Sequence, residues 1–233
     1  MLGSAIVLNR KPDTTHSSLY AETSRIDKIL KWTYSDDDSV DLAVSGIGVP
    51  PDLYDYVTIP TIQFITDEEV QKKIVVEGDP VLFSGLFIQS FSEVHRLEPI
   101  VRSGTLAMVP EGVLDTTLNR KPGHLYLAEA HAFGGNSGSP MFIDTNKFAN
   151  IIGGPSYKFL GVISGEVLEN ADLTLNVTTS FAANIGANSD VSTVVPAREL
   201  LKILNGKELQ NERDAIIAKQ SGSSQGTPKS TTN

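Results

Sequence analysis

Short apolar runs, each ended by glycine, proline or aspartate, recur through the second half of the chain. Runs of this length that are rich in β-branched and aromatic residues are typical of strands, and their regular spacing predicts an all-β barrel or sandwich. The predicted strands span residues 80–89, 100–109, 124–130, 140–143, 157–167 and 191–196.

The rest of the chain carries weaker β signals, and helices are predicted near its C-terminal end. Residues 5–8 and 28–32 are short β-prone runs, and 40–44 is a strand-like run that contains Asp41. Residues 66–70 start like a capped helical turn. The pattern also predicts a loop at 184–189, a helix at 197–204, a charged helix at 207–219 and disorder over 220–233.

Composition narrows the function classes. The chain has 233 residues, 40% of them hydrophobic, and a net charge of −9, so we expect a globular protein that binds no nucleic acid and no anionic membrane. It contains no cysteine and its four histidines lack paired spacing, so we expect no metal and no cofactor. No signal peptide or membrane-spanning run is visible, and the compartment and oligomeric state stay open.

The segment from His131 to Pro140 places one serine, Ser137, inside a glycine-rich turn that leads into an apolar run. A hydroxyl that attacks a carbonyl needs backbone N–H groups aimed at the developing oxyanion, and small residues let a substrate approach closely. Gly135 and Ser137 can supply these N–H groups. The alternative is an ordinary turn, because glycine, asparagine and serine are also common turn formers.

The run from Gly135 to Pro140, Gly-Asn-Ser-Gly-Ser-Pro, resembles the nucleophile signature of bacterial-type trypsin-like (chymotrypsin-fold) serine peptidases. The resemblance implies a serine endopeptidase with a two-lobed double β-barrel and a C-terminal helix. We expect an incomplete N-terminal barrel and linker in residues 1–75, the C-terminal barrel with its closing helix in 76–205, and a helical extension and tail in 206–233. Asn136 replaces the aspartate of digestive-type relatives, so activation through a new N-terminus is not expected.

The same resemblance implies roles for further residues. Asp41, in an Asp-Leu-Ala-Val run, corresponds to the carboxylate that orients the histidine base, although a solvated strand aspartate is the alternative. Ile163, Ser164 and Gly165 correspond to the strand that pairs with substrate backbone. His131, six residues before Ser137, corresponds to the base of the specificity pocket, where it would contact acidic substrate side chains; a plain loop histidine is the alternative.

The resemblance does not extend to the base. His16 is the only histidine before Asp41, and it follows a polar run and no strand. We therefore expect the base to lie upstream of Met1 and the chain as it stands to be nearly inactive. Two other interpretations stay open, namely a non-catalytic protease-like module that binds a peptide or partner protein, and an unrelated β-sandwich with a chance motif.

Overall fold

The computed structural model describes residues 4–9, 11, 23–28, 30–86, 98–114, 122–145, 156–176 and 180–223, with the backbone alone for 4–9, 23–28, 168–176, 180–188 and 220–223. More of these residues are in strands than in helices, and two helices follow the last strand at the C-terminal end. The prediction of an all-β barrel class is therefore confirmed.

Six antiparallel strands form a closed barrel in the order β10-β7-β6-β5-β8-β9. All six predicted runs contribute a strand to it. The strands are β5 (Pro80–Gly85), β6 (Ile100–Met108), β7 (Tyr126–Glu129), β8 (Pro140–Asp144), β9 (Tyr157–Asn176) and β10 (Ser180–Pro196).

Alternation of side chains explains the barrel core. Val81 and Phe83 of β5, and Met141 and Ile143 of β8, are buried at every second position, as strands with one buried face require. They pack with buried residues of the other strands in one hydrophobic cluster. That cluster also includes Ile65, Val75, Leu106, Tyr126, Ala128, Ala130, Ala132, Leu160, Ile163 and Val194.

Strands β9 and β10 are longer than predicted. They pair with each other from Gly161 and Pro196 out to Asn176 and Ser180, with register shifts between Asn188 and Ser192 and between Thr193 and Val194. The predicted loop at 184–189 is wrong, because these residues belong to β10. Backbone pairing with β9 overrides the low β-propensity of the asparagines, alanines and glycine there.

Two small sheets and three helices complete the described fold. The sheets pair β1 (Ser4–Asn9) with β2 (Thr23–Lys28), and β3 (Thr33–Tyr34) with β4 (Ala43–Val44). The strand predicted at 28–32 thus corresponds to β2, which lies earlier in the chain. Of the run predicted at 40–44, only the C-terminal end is a strand, β4. The helices are α1 (Asp67–Gln71), α2 (Ala197–Leu204) and α3 (Lys207–Ser223), and a 3-10 turn spans Thr61–Gln63.

Helix positions follow from local signals. The predicted capped turn at 66–70 is α1, and Thr66 and Glu69 form its capping box. Helix α2 has the predicted bounds and packs against β9 and β10. Helix α3 continues to Ser223, so the prediction of disorder from residue 220 is wrong for 220–223, and 224–233 lie outside the described residues.

Candidate functional site

The glycine-rich segment forms the turn between β7 and β8 (residues 131–139, the serine turn). The N–H of Gly138 donates to the carbonyl of Ile163 at 2.8 Å, and the N–H of Ile163 donates to the carbonyl of Ser139 at 3.0 Å. These bonds continue the pairing of β8 with β9 into the serine turn. Ser137 is exposed immediately before the paired residues, so it is held against the edge of a sheet.

Two glycines shape the serine turn. Gly135 has a φ of +104° and Gly138 a φ of +91°, a region that favours glycine. The backbone N–H groups of Gly135 and Ser137 form no hydrogen bond with any described residue, and both residues are exposed. Two unused N–H groups beside an exposed hydroxyl are the groups that an oxyanion hole requires.

Asn136, 3% exposed, fixes the serine turn from inside. Its Oδ1 accepts a hydrogen bond from the N–H of Phe133 at 2.9 Å, and its Nδ2 donates to the carbonyl of Leu86 at 3.2 Å. Its backbone N–H donates to the carbonyl of Phe133 and its carbonyl accepts from the N–H of Ser139. Four hydrogen bonds therefore hold the residue before Ser137, and none of them involves a charged group.

The Ser137 hydroxyl donates to the backbone carbonyl of Ser164 at 3.0 Å. The hydroxyls of Ser164 and Thr193 lie 2.9 Å apart, which ties this part of β9 to β10. The structure thus brings Ser137 next to the predicted substrate-binding run of Ile163, Ser164 and Gly165. A backbone carbonyl accepts this hydrogen bond but cannot take the proton, so the contact does not activate the hydroxyl.

His131 lies at the start of the serine turn and faces a carboxylate. Its Nδ1 is 2.5 Å from Oδ1 of Asp190. Asp190 has a φ of +63°, which aspartate tolerates, and it lies where the register of β10 shifts against β9. A bulge of this kind redirects a side chain. No hydrogen bond joins His131 to Ser137 in the described residues.

Further contacts hold the backbone around His131. Arg102 donates from Nη1 to the carbonyl of His131 at 2.5 Å, and its guanidinium lies 4.4 Å from the ring centroid of Phe133. The hydroxyl of Ser192 donates to the carbonyl of Ala130 at 2.8 Å. Sequence reasoning missed Arg102 and Asp190, because strand register brings them to His131 and neither belongs to the serine motif.

Asp41 is exposed, and none of the contacts described above involves it. Its neighbours Val40 and Leu42 pack with Leu125 and Val195. Asp41 forms no hydrogen bond or ion pair with another described residue. Its assignment as the orienting carboxylate stays a prediction, and His16 and His95 lie outside the described residues.

A separate pocket of about 430 Å³ lies at the other end of the barrel. Strand β5 begins just after the lining residue Glu77 and ends beside the serine turn, and no residue of the serine turn lines the pocket. The charges of the pocket are partly paired within the protein: Arg198 contacts Asp67 at 3.3 Å, and Glu77 accepts from the N–H of Val109. Its charged or titratable lining residues are Asp67, Lys73, Glu77, Glu111, His124 and Arg198.

Comparison of the sequence with models of protein families and with curated proteins found no match. Among the described residues, no three histidine, aspartate or glutamate side chains are grouped to hold a metal ion. Within the same ranges, no helix has the length and apolar character needed to cross a membrane. The function therefore has to be inferred from the chemistry around Ser137.

Proposed function

We propose that this protein is a trypsin-like serine endopeptidase that hydrolyses peptide bonds through an acyl-enzyme on Ser137. The observation that carries the proposal is the exposed Ser137 hydroxyl, in a turn attached to β9. It lies beside the N–H groups of Gly135 and Ser137, which bond to no described residue. The closed six-stranded barrel supports the finer proposal that it is the second lobe of a chymotrypsin-like double barrel.

The proposed reaction has two steps. The Ser137 oxygen attacks the carbonyl carbon of the scissile bond, a histidine base takes its proton, and the amine leaves with that proton. Water then attacks the acyl-enzyme and releases the acid. In both steps the oxyanion receives hydrogen bonds from Gly135 and Ser137, and losing one such donor raises the barrier by about 3 kcal/mol.

Substrate would bind along β9 in this proposal. The backbone of Ile163, Ser164 and Gly165 lies beside the serine turn, where an extended peptide can add to the edge of the sheet. His131 would then contact the substrate side chain next to the scissile bond. Asp190, through its 2.5 Å contact with the imidazole, would fix the ring for that role.

The base is the part of the mechanism that the described residues do not supply. Of the two histidines in the described ranges, His131 faces Asp190, and His124 lies near the far pocket. The proposal therefore requires a histidine outside the described ranges, oriented by Asp41.

A second candidate function is a non-catalytic protease-like module that binds a peptide or partner protein. It is favoured by the hydrogen bond from the Ser137 hydroxyl to the Ser164 carbonyl, because this contact engages the hydroxyl without a base. Under this alternative the edge of β9 would still bind an extended chain, but Ser137 would not be acylated.

Reaction with a fluorophosphonate probe, followed by mass spectrometry of the labelled peptide, tests the proposal. If a histidine of this chain is the base, we expect the label on Ser137, its loss in Ser137→Ala, and its retention in Ser103→Ala, which removes an exposed serine of β6. His16→Ala and His95→Ala identify the base if one of them abolishes labelling while His124→Ala does not. Absence of any label on Ser137 would favour the binding module.

A further inference from the structure

Strands β9 and β10 extend beyond the barrel as a two-stranded hairpin, described at residues 168–176 and 180–188 (the arm). Nine consecutive residue pairs, from Leu168 with Asn188 to Asn176 with Ser180, make up the arm. At the usual rise of a strand the arm is about 27 Å long. Among the described residues, no other strand pairs with the arm, so its outer edges present backbone N–H and C=O groups without a strand partner.

The edge of β9 that faces β8 connects the arm to Ser137. Strand β8 pairs with β9 only up to Val162, and Gly138 and Ser139 extend that pairing to Ile163. From Ser164 to Asn176, β10 is the only described strand that pairs with β9. Among the described residues, this edge of β9 therefore has no strand partner from the serine turn to Asn176.

The amino-acid composition of the arm and its flanking residues indicates which kind of partner this edge binds. Exposed edges usually carry lysine or proline, which discourage pairing with other chains, and residues 168–188 contain neither. Between Lys158 and Arg198 the chain has four acidic residues and no lysine, arginine or histidine. A negatively charged segment attracts a positively charged partner. An extended polypeptide satisfies the N–H and C=O groups of a strand edge, and a basic one complements the charge.

We infer that the arm and the adjoining edge of β9 bind an extended, basic polypeptide segment by strand addition. The part of this inference that concerns Ser137 and the scissile bond rests on the proposed function. Strand β9 runs away from Ser137 toward the arm, so a segment bound antiparallel to it runs toward Ser137. Residues on the N-terminal side of the scissile bond would then lie along the arm.

The binding test uses the full chain with Ser137→Ala, which separates binding from turnover. The probe is a fluorescein-labelled peptide of three Lys-Val-Thr-Val repeats, followed by fluorescence anisotropy. Two matched peptides accompany it: one with glutamate for each lysine, and one with every second residue N-methylated, which blocks strand addition. We expect both matched peptides to bind at least about tenfold more weakly than the probe.

Two protein variants locate the binding. In the first, an Asn-Gly turn replaces residues 169–187 and joins Leu168 to Asn188 as a two-residue hairpin. In the second, Glu169→Lys and Asp172→Lys reverse two charges of the arm. The control for the second is Glu111→Lys with Asp214→Lys, an equal charge change on exposed residues elsewhere in the chain.

We expect both arm variants to weaken binding of the probe by at least about tenfold, and the control to change it by less than about threefold. The inference is overturned if the arm charge reversal leaves affinity unchanged, or if the N-methylated peptide binds as well as the probe. Fluorophosphonate labelling of Ser137, measured on arm variants that retain the serine, reports on the proposed function separately. An arm variant whose Ser137 is labelled as in the parent, but which has lost affinity for the probe, supports the role of the arm in binding.

Discussion

A β-carbon placed on Gly85 would lie 2.6 Å from the hydroxyl oxygen of Ser139. It would also lie 2.9 Å from Nδ2 of Asn136, and both distances are shorter than atoms tolerate. Strand β5 therefore meets the serine turn with no room for a side chain at its last residue. Since Leu86 accepts the amide hydrogen bond of Asn136, this end of β5 sets where Ser137 lies.

Gly85→Ala is expected to lower the free energy of unfolding by about 1–3 kcal/mol, because the methyl group overpacks a closed contact. It should also slow fluorophosphonate labelling of Ser137, since the serine turn must shift to admit the methyl. Urea unfolding and the labelling rate measure the two effects. Gly112→Ala is the control, because its β-carbon would have no atom within 4 Å, and equal losses in both variants would contradict the contact.

Asn136→Asp tests the hydrogen bonds that the side-chain amide of Asn136 forms with Phe133 and Leu86. The aspartate keeps an acceptor for the N–H of Phe133 but loses the donor to Leu86, and it buries a carboxylate against a carbonyl oxygen. We expect a loss of about 1–3 kcal/mol in unfolding free energy at neutral pH. The loss should shrink in acid, where the protonated carboxyl can donate to Leu86. Unfolding curves at pH 4 and pH 7 compare the two conditions.

The control for Asn136→Asp is Asn211→Asp, the same chemical change at an exposed position of α3. We expect it to change stability by less than about 0.5 kcal/mol at either pH. If Asn136→Asp behaves like this surface substitution, the hydrogen bond to Leu86 does not fix the serine turn.

The barrel was predictable because each of its strands contains a short β-prone run bounded by glycine, proline or aspartate, and in β5 the burial alternates along that run. Val81 and Phe83 are an example: their pattern in the sequence matches the burial of β5. The arm was not predictable, because residues 168–188 are rich in asparagine, alanine and threonine and resemble a loop. Pairing along the hairpin, which sequence patterns do not reveal, makes them strands.

The candidate site was predictable in part, for a related reason. Ser137, Gly135 and Asn136 are contiguous, so one motif identifies them. The contact of Ser137 with Ser164 joins residues 27 positions apart, and that of His131 with Asp190 joins residues 59 apart. Such contacts depend on barrel closure and on a register shift, which spacing along the sequence does not encode.

Glu69→Gln tests an ion pair that joins α1 to the barrel. Burial alone would raise the pKa of the Glu69 carboxyl, but hydrogen bonds from Lys158 and Thr66 outweigh it and lower that pKa below the usual 4.5. A lowered pKa in the folded state stabilises the protein above the unfolded-state pKa, and this stabilisation is lost as the pH falls through the folded-state pKa. The variant should therefore be less stable by about 1 kcal/mol at pH 7 and closer to the parent below pH 4.

The matched control is Glu68→Gln, which removes a carboxylate that is 72% exposed and paired with Lys72. We expect its effect to stay below about 0.5 kcal/mol across the pH range, because exposed ion pairs contribute little. Urea unfolding of parent and variants from pH 3 to pH 7 measures the difference. If the loss of unfolding free energy in Glu69→Gln, relative to the parent, grew as the pH fell, the sign of the pKa shift would be contradicted.

Lys73→Gly is expected to raise the free energy of unfolding. Lys73 has a φ of +58° after the end of α1, where its N–H donates to the carbonyl of Val70 and the N–H of Ile74 donates to that of Glu69. Glycine is usual at this position of a helix end because it adopts positive φ without strain, so we expect a gain of about 0.5–1 kcal/mol. Lys72, with a φ of −75°, is the control, and Lys72→Gly should instead lower stability by about 1 kcal/mol. A loss of stability in both variants, measured by urea unfolding, would show that the strain at Lys73 is offset by contacts of its side chain.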